Sequence, residues 1–148
     1  MVPETSRGDP PGGTIAMGKG STRDFYVVLT NISADRQSVW ESRNSWGYQA
    51  ITLELTTADG KKFRVSKRQQ GFTRNFPATF LIEPREHQVI GLRLDEWWQA
   101  EPPVPKVAEL PVKLKAIYEV APTQESSQYQ VWTGRLESRT YDLTFSQW

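Results

Sequence analysis

The sequence predicts an all-β domain, a two-layer antiparallel sandwich of about eight or nine strands with at most one short helical turn. Three observations carry this. Short segments alternate apolar and polar residues, nearly every segment closes on turn chemistry, and no stretch of ten or more residues holds a helical apolar stripe. A closed barrel is the alternative arrangement of the same strands.

Residues 1–13 carry Pro3, Gly8, Pro10, Pro11, Gly12 and Gly13 with almost no large apolar side chain. Such a stretch cannot repay its ordering entropy by burial, so a flexible leader is expected, followed by one domain over 14–148. Ile15 and Met17 suggest a first short strand before the Gly18-Lys19-Gly20-Ser21 turn. From Asp24, the residues Phe25, Val27 and Leu29 lie on one face of a period-two segment. A turn cluster, Asn31 to Asp35, ends it, and a brief strand is expected around Val39 and Trp40.

Ile51, Leu53 and Leu55 alternate with Thr52, Glu54 and Thr56, and Ala58-Asp59-Gly60-Lys61 follows. Asp-Gly readily takes the positive φ angles of tight turns, so this is a hairpin, with Phe63 and Val65 inward on the partner strand. Gln69 to Pro77 reads as a loop. Phe80-Leu81-Ile82 suggests a strand buried on both sides, and Gln88 to Leu94 places Ile90, Leu92 and Leu94 on one face. Asp95 to Ala100 is the expected helical turn, carrying Trp97 and Trp98. Prolines 102, 103, 105 and 111 then impose an extended crossing. Val112 to Val120 has one wet face, Ala121 to Gln128 is a polar loop, and Val131 to Leu136 and Thr140 to Phe145 complete the strands.

At 148 residues the chain fits one core, with no room for a second domain. Eighteen basic and seventeen acidic residues leave a formal charge of +1, so no overall field draws in nucleic acid, which is not expected as a partner. The absence of cysteine removes disulfides, thiolate nucleophiles and sulfur metal sites. Apolar runs fall far short of the roughly 20 residues of a membrane span. No signal peptide precedes the domain, but Met-Val-Pro-Glu is compatible with a start that replaced one. A periplasmic or extracellular setting is expected in that case.

Candidate chemistry is sparse. His87 is the single histidine and reads as a solvated residue after a turn, with no partner for acyl transfer or zinc. Asp95 and Glu96 are adjacent on a turn and suit a helix dipole better than a glycosidase pair. No phosphate-binding loop is present. The expectation is therefore a protein with no cofactor, metal site or catalytic residues.

Aromatic residues offer more. Of six tryptophans, Trp40, Trp97 and Trp132 read as core, whereas Trp46 and Trp148 are expected to be exposed and able to anchor a partner. Lys61, Lys62, Arg64, Lys67, Arg68 and Arg74 interleave with Phe63, Phe72 and Phe76, mainly as a solvated strand and loop. The predicted binding surface is Trp46, Tyr48, Lys67, Arg68, Phe72 and Arg74. Arg7-Gly8-Asp9 matches an adhesion tripeptide by chance in a leader, and Asn31-Ile32-Ser33 matches a glycosylation acceptor that its turn role already explains.

Asn31 and Ser33 closing the first long strand, Asp59-Gly60-Lys61 in a hairpin, Pro84-x-Glu86 before a strand, and Tyr118 followed by Trp132-Thr133-Gly134 and Ser138 form a set. It resembles the bacterial immunoglobulin-like sandwich domains, including the intracellular proteinase inhibitor (BsuPI) type. Arg85 stands where such domains often carry glycine. The resemblance implies an immunoglobulin-like fold; the strand pattern together with the missing catalytic groups points to a non-catalytic module of a bacterial envelope or secreted system that binds a protein or other macromolecule. Two further functions are open: a proteinase inhibitor presenting the loop from Gln69 to Pro77, and a carbohydrate-binding module using Trp46 or Trp97 and Trp98.

Overall fold

The computed structural model describes residues 2–3, 13–18, 24–106 and 109–147. Arg7-Gly8-Asp9, most of the leader segment and Trp148 lie outside them. The fold is all-β and mostly antiparallel, with minor helix. Its largest element is a seven-stranded sheet curled into a half-barrel.

The centre of that sheet is the predicted hairpin, β5 (Ile51–Thr57) and β6 (Lys62–Lys67), with Gly60 at φ 82° in the turn. The Thr57 hydroxyl bonds to the Asp59 carboxylate there, and Lys61 O accepts from Thr57 N at 3.0 Å. Alternation holds, with Leu53, Leu55, Phe63 and Val65 buried and Lys62 and Arg64 exposed. On the other side of β5 lies β10 (Leu110–Val120), whose inward residues Val112, Leu114, Ala116 and Tyr118 are buried.

Two strands share the far flank of β10. β12 (Tyr141–Gln147) runs beside Leu110 to Leu114, and β11 (Gly134–Glu137) beside Ile117 to Val120. Ser138 joins them: its N–H donates to Ala116 O at 2.9 Å and its Oγ accepts from Ala116 N at 3.0 Å, so the side chain replaces a ladder carbonyl. β2 (Thr14–Met17) then pairs parallel with β12.

Facing this sheet are two small ones. β1 (Val2–Pro3), β3 (Asp24–Thr30) and β8 (His87–Arg93) form the first, and β4 (Gln37–Trp40) pairs with β7 (Thr79–Ile82) in the second. Phe25, Val27 and Leu29 from β3, Val39 and Trp40 from β4, and Leu92 and Leu94 join the inward residues of the large sheet in one core. Single bridges link Met17 of β2 to Leu94, just after β8, and Ser38 of β4 to Val131, ahead of β11.

The described residues hold twelve strands and two helices, more than the eight or nine strands expected. The additions are short edge pairings, visible only once a partner strand is in place. Asp95 to Ala100 is not a helical turn: the chain turns at Asp95 and enters β9 (Trp98–Glu101), paired with β6 through Lys67 and Trp98. Asp95 Oδ1 accepts from Trp97 N at 3.0 Å, so the acidic side chain makes a turn instead of a helix start. Leu81 is exposed, because β7 has a core on one face only. Gly134, rather than Val131, begins β11, and Leu136 is exposed on it. Pro111 lies within β10 instead of the crossing; only β12 flanks it, since pairing with β5 begins at Val112. The polar loop contains α2 (Gln124–Gln128), started by a capping box between Thr123 and Ser126.

Arg85 keeps the glycine-like turn geometry. Its φ is 68°, a left-handed conformation unusual for a side-chain-bearing residue. Glu86 N donates to Glu83 O at 3.0 Å and Arg85 N to Asn31 O at 2.8 Å, which holds the turn against that strain.

Candidate binding cleft

α1 (Ser45–Tyr48) follows β4 and presents the predicted Trp46 and Tyr48. Asn44 caps it, accepting from Gly47 N at 2.9 Å while its Nδ2 donates to Ala78 O at 2.9 Å. Gly47 allows the helix to sit tightly on β4: a Cβ there would lie 2.9 Å from Trp40 Cβ and closer still to the Glu41 carbonyl oxygen.

Trp46 is half-buried, not freely exposed as expected. It stacks on the buried Trp40, centroids 5.6 Å apart at 27°. Tyr48 points toward the predicted loop instead. Phe72 meets it edge-on at 5.4 Å, and Lys67 Nζ lies 4.3 Å from its ring centre and 5.8 Å from that of Trp98. Tyr48, Lys67 and Phe72 therefore cluster, although 24 positions separate the first and last of them in sequence.

The other predicted residues take different places. Arg68 is exposed and tied to the turn before β9, its N donating to Trp97 O at 2.7 Å and its Nε to Glu96 O at 3.1 Å. Arg74 is exposed on the same loop, away from the cleft wall. Lys61 covers Phe63, and Lys62 faces Glu54 at 3.5 Å, so these two serve the hairpin.

A cleft of about 250 Å³ opens beside Tyr48 and Lys67, lined also by Gln70, Gly91, Leu92, Arg93, Asp95, Trp97 and Trp98. Trp97 is 51% exposed at its edge, against the core role expected for it. Trp98, by contrast, is buried in the floor, so these adjacent rings do not form a shared exposed platform. Of the remaining expected core tryptophans, Trp40 is buried and Trp132 half-buried. Burial lowers the Lys67 ammonium pKa, with Asp95 opposing it, and burial followed by Asp95 raises that of the Tyr48 phenol. Asp95, Trp97 and Trp98 enter this cleft through the β6–β9 register, which local alternation does not encode.

The loop between β6 and β7 is braced rather than loose. Asn75 donates from Nδ2 to Ser45 Oγ at 2.7 Å and accepts from Ser45 N at 2.9 Å. Phe76, next to this brace, is 75% exposed.

Elsewhere, His87 opens β8 and is exposed, with Nδ1 3.0 Å from Thr30 Oγ1. Among the described residues no group of three or more His, Asp or Glu side chains is arranged to hold a metal, and no helix is long and apolar enough to cross a membrane. Lys115, Arg135, Glu119 and Glu137 form a surface network with contacts of 2.6 to 3.0 Å. Bonds from Lys115 and then Arg135 hold the Glu137 carboxyl below its ordinary range. Asn31 is buried with both ends of its amide bonded to protein, which gives the glycosylation-like tripeptide a structural role. No family model matches the chain, and no curated protein or solved structure shows significant similarity to it.

Proposed function

We propose that this chain is a non-catalytic, immunoglobulin-like sandwich module that binds a protein partner in the cleft between α1, the end of β6 and the turn before β9, within a bacterial envelope or secreted system. The observation that carries this reading is the exposed Trp97 over a recess floored by Trp98 and Tyr48 with Lys67 against both rings. Tryptophan, tyrosine and a partly desolvated cation in a concavity have the composition of interface hot spots. A benzophenone amino acid at position 97, photolysed in cells of the source organism, tests this. The expected result is one dominant protein adduct, lost in Lys67→Ala and Tyr48→Ala backgrounds; no adduct, or one indifferent to both substitutions, refutes it.

The braced loop favours a second reading, an inhibitor that offers Phe76 to a protease with an aromatic-accepting pocket. Rigid presentation lowers the entropy cost of binding. Incubation with serine and cysteine proteases should then show inhibition abolished by Phe76→Ala. Unchanged protease activity throughout, or rapid cleavage at Phe76, removes this reading.

A further inference from the structure

β8 is an open edge of its sheet. β3 covers one side of it, and among the described residues no strand pairs with the other. Asn31 N donates to Glu86 O at 3.0 Å in the same register that pairs β3 with β8, and hydrogen-bonded and non-hydrogen-bonded pairs alternate along an antiparallel ladder. Gln88, Ile90 and Leu92 therefore direct their N–H and C=O groups to β3, whereas those of Val89 and Gly91 point outward. The pairing of Pro3, which has no N–H, with Phe25 agrees, because it leaves the Phe25 groups to Leu92. Among the described residues, the outward groups meet only one long contact, from Gln88 Nε2 to Val89 O at 3.5 Å.

Sandwiches ordinarily protect such an edge with charge, proline or brevity. β9, an edge of the large sheet, follows that rule, with four residues that end on Glu101 before Pro102. β8 does not. It has seven residues, and the stretch Gln88-Val89-Ile90-Gly91-Leu92 carries neither charge nor proline. Its outward face is also apolar: Val89 is 55% exposed opposite Val28, and Tyr26 is 41% exposed with its ring over Gly91. A Cβ added to Gly91 would lie 3.5 Å from that ring, an ordinary contact, and the residue is not at positive φ. Neither packing nor backbone angle within one chain requires glycine there, and an unforced glycine inside a strand marks close approach of another backbone.

The edge is complementary to itself. A two-fold axis through Ile90, perpendicular to the sheet, sets Val89 of each copy opposite Gly91 of the other. Both residues point their peptide groups outward, so Val89 N can donate to Gly91 O of the second copy and Gly91 N to its Val89 O, and the axis repeats both bonds. The exposed Val89 side chain then falls where Gly91 has none, at the edge of the Tyr26 ring. A closed two-fold interface needs this kind of self-matching patch. Centring on Ile90 is also the register that pairs all of β8, with His87 opposite Arg93 at the rims.

We propose that the chain forms a symmetric homodimer by antiparallel pairing of β8 with β8 of a second copy, which joins two three-stranded sheets into one. The dimer does not rest on the cleft reading, since it is tested on the purified chain alone. A single ladder of this length is smaller than obligate interfaces, so the dissociation constant should be about 10–100 µM.

Sedimentation velocity of the full chain from about 5 to about 500 µM should show a reversible monomer–dimer equilibrium. Hydrogen exchange followed by NMR locates the contact. Between those concentrations the amides of Val89 and Gly91 should gain at least about tenfold protection, while those of Ile90 and Leu92, bonded to β3, stay protected at both. Val89→Pro removes an outward N–H and no bond of the β3–β8 ladder, and Val89→Lys adds charge without touching the backbone. Each should keep the native amide spectrum and raise the dissociation constant at least about tenfold. If the proline variant misfolds, the lysine variant decides. A monomer throughout the range, a dimer unaffected by Val89→Lys, or exchange at Val89 and Gly91 that is independent of concentration overturns the proposal.

Discussion

Replacing Asn31 by alanine should remove about 3 kcal/mol of folding stability. The side chain closes β3 by four hydrogen bonds, of which the one to Ile82 O is buried. Leaving that carbonyl unpaired costs about 1–3 kcal/mol, and each of the partly exposed bonds contributes about 0.5 kcal/mol after water takes its place. For a chain of this size, 1 kcal/mol corresponds to about 2–4 °C, so the midpoint should fall by about 6–12 °C. Denaturant unfolding of Asn31→Ala beside Ile32→Ala measures it, since the fully solvated Ile32 neighbour should change stability by less than about 0.5 kcal/mol. Asn31→Asp separates donor from acceptor. It keeps the Ser33 contacts but turns a carboxylate toward the Asp35 and Ile82 carbonyls, so its folded-state pKa is raised. Stability of that variant should be highest at acid pH, where the group is protonated in both states, and fall as pH rises from the ordinary carboxylate range through the raised pKa. A loss under about 1 kcal/mol in Asn31→Ala would refute the assignment of Asn31 as the clamp between β3 and β7.

Three other outcomes are expected. Gly47→Ala should destabilise by about 1–3 kcal/mol through collision with the Glu41 carbonyl and Trp40 Cβ, and should alter the tryptophan fluorescence of the Trp40–Trp46 stack; an unchanged midpoint would count against the close approach of α1 to β4. Arg85→Gly should raise stability by up to about 1 kcal/mol, because relief of the φ 68° strain exceeds the extra entropy of unfolded glycine; a loss on thermal unfolding would contradict this. Burial pushes the Tyr118 phenol up to about 12. Its folded pKa is thus above the unfolded value near 10, so the stabilisation is complete below pH 10 and is lost as pH rises toward 12. Relative to the parent, Tyr118→Phe should lose less stability between those limits, and parallel curves in alkaline unfolding would argue against a buried phenol.

Alternation made the inner strands readable. Phe25, Val27 and Leu29, or Leu53 and Leu55 opposite Phe63 and Val65, declare their inward face locally because side chains in a strand point alternately to either side. The Asp59-Gly60 turn is local in the same sense. The candidate site was legible only in part. Tyr48, Lys67 and Phe72 stand out in the sequence as aromatic and basic residues near a loop, and the fold brings them together. Trp46 stands out in the same way, but its stack on Trp40 depends on how α1 crosses β4. The contribution of Trp98 depends on β9 pairing with β6, a contact between segments 31 positions apart at Lys67 and Trp98.

By itself, the sequence determined the all-β class, the inward faces of the central strands, the tight hairpin and the lack of cysteine chemistry, all properties of residues close in the chain. Tertiary structure alone decided which edges pair, which tryptophans are covered, and where concavities open. Tyr118 shows the difference: its inward direction follows from alternation along β10, whereas its burial to 5% exposure and the contact of its ring with Trp132 depend on segments brought against β10 by the fold. Burial and hydrogen-bond satisfaction are sums over neighbours distant in sequence, so they come into being with the packing of the sheets.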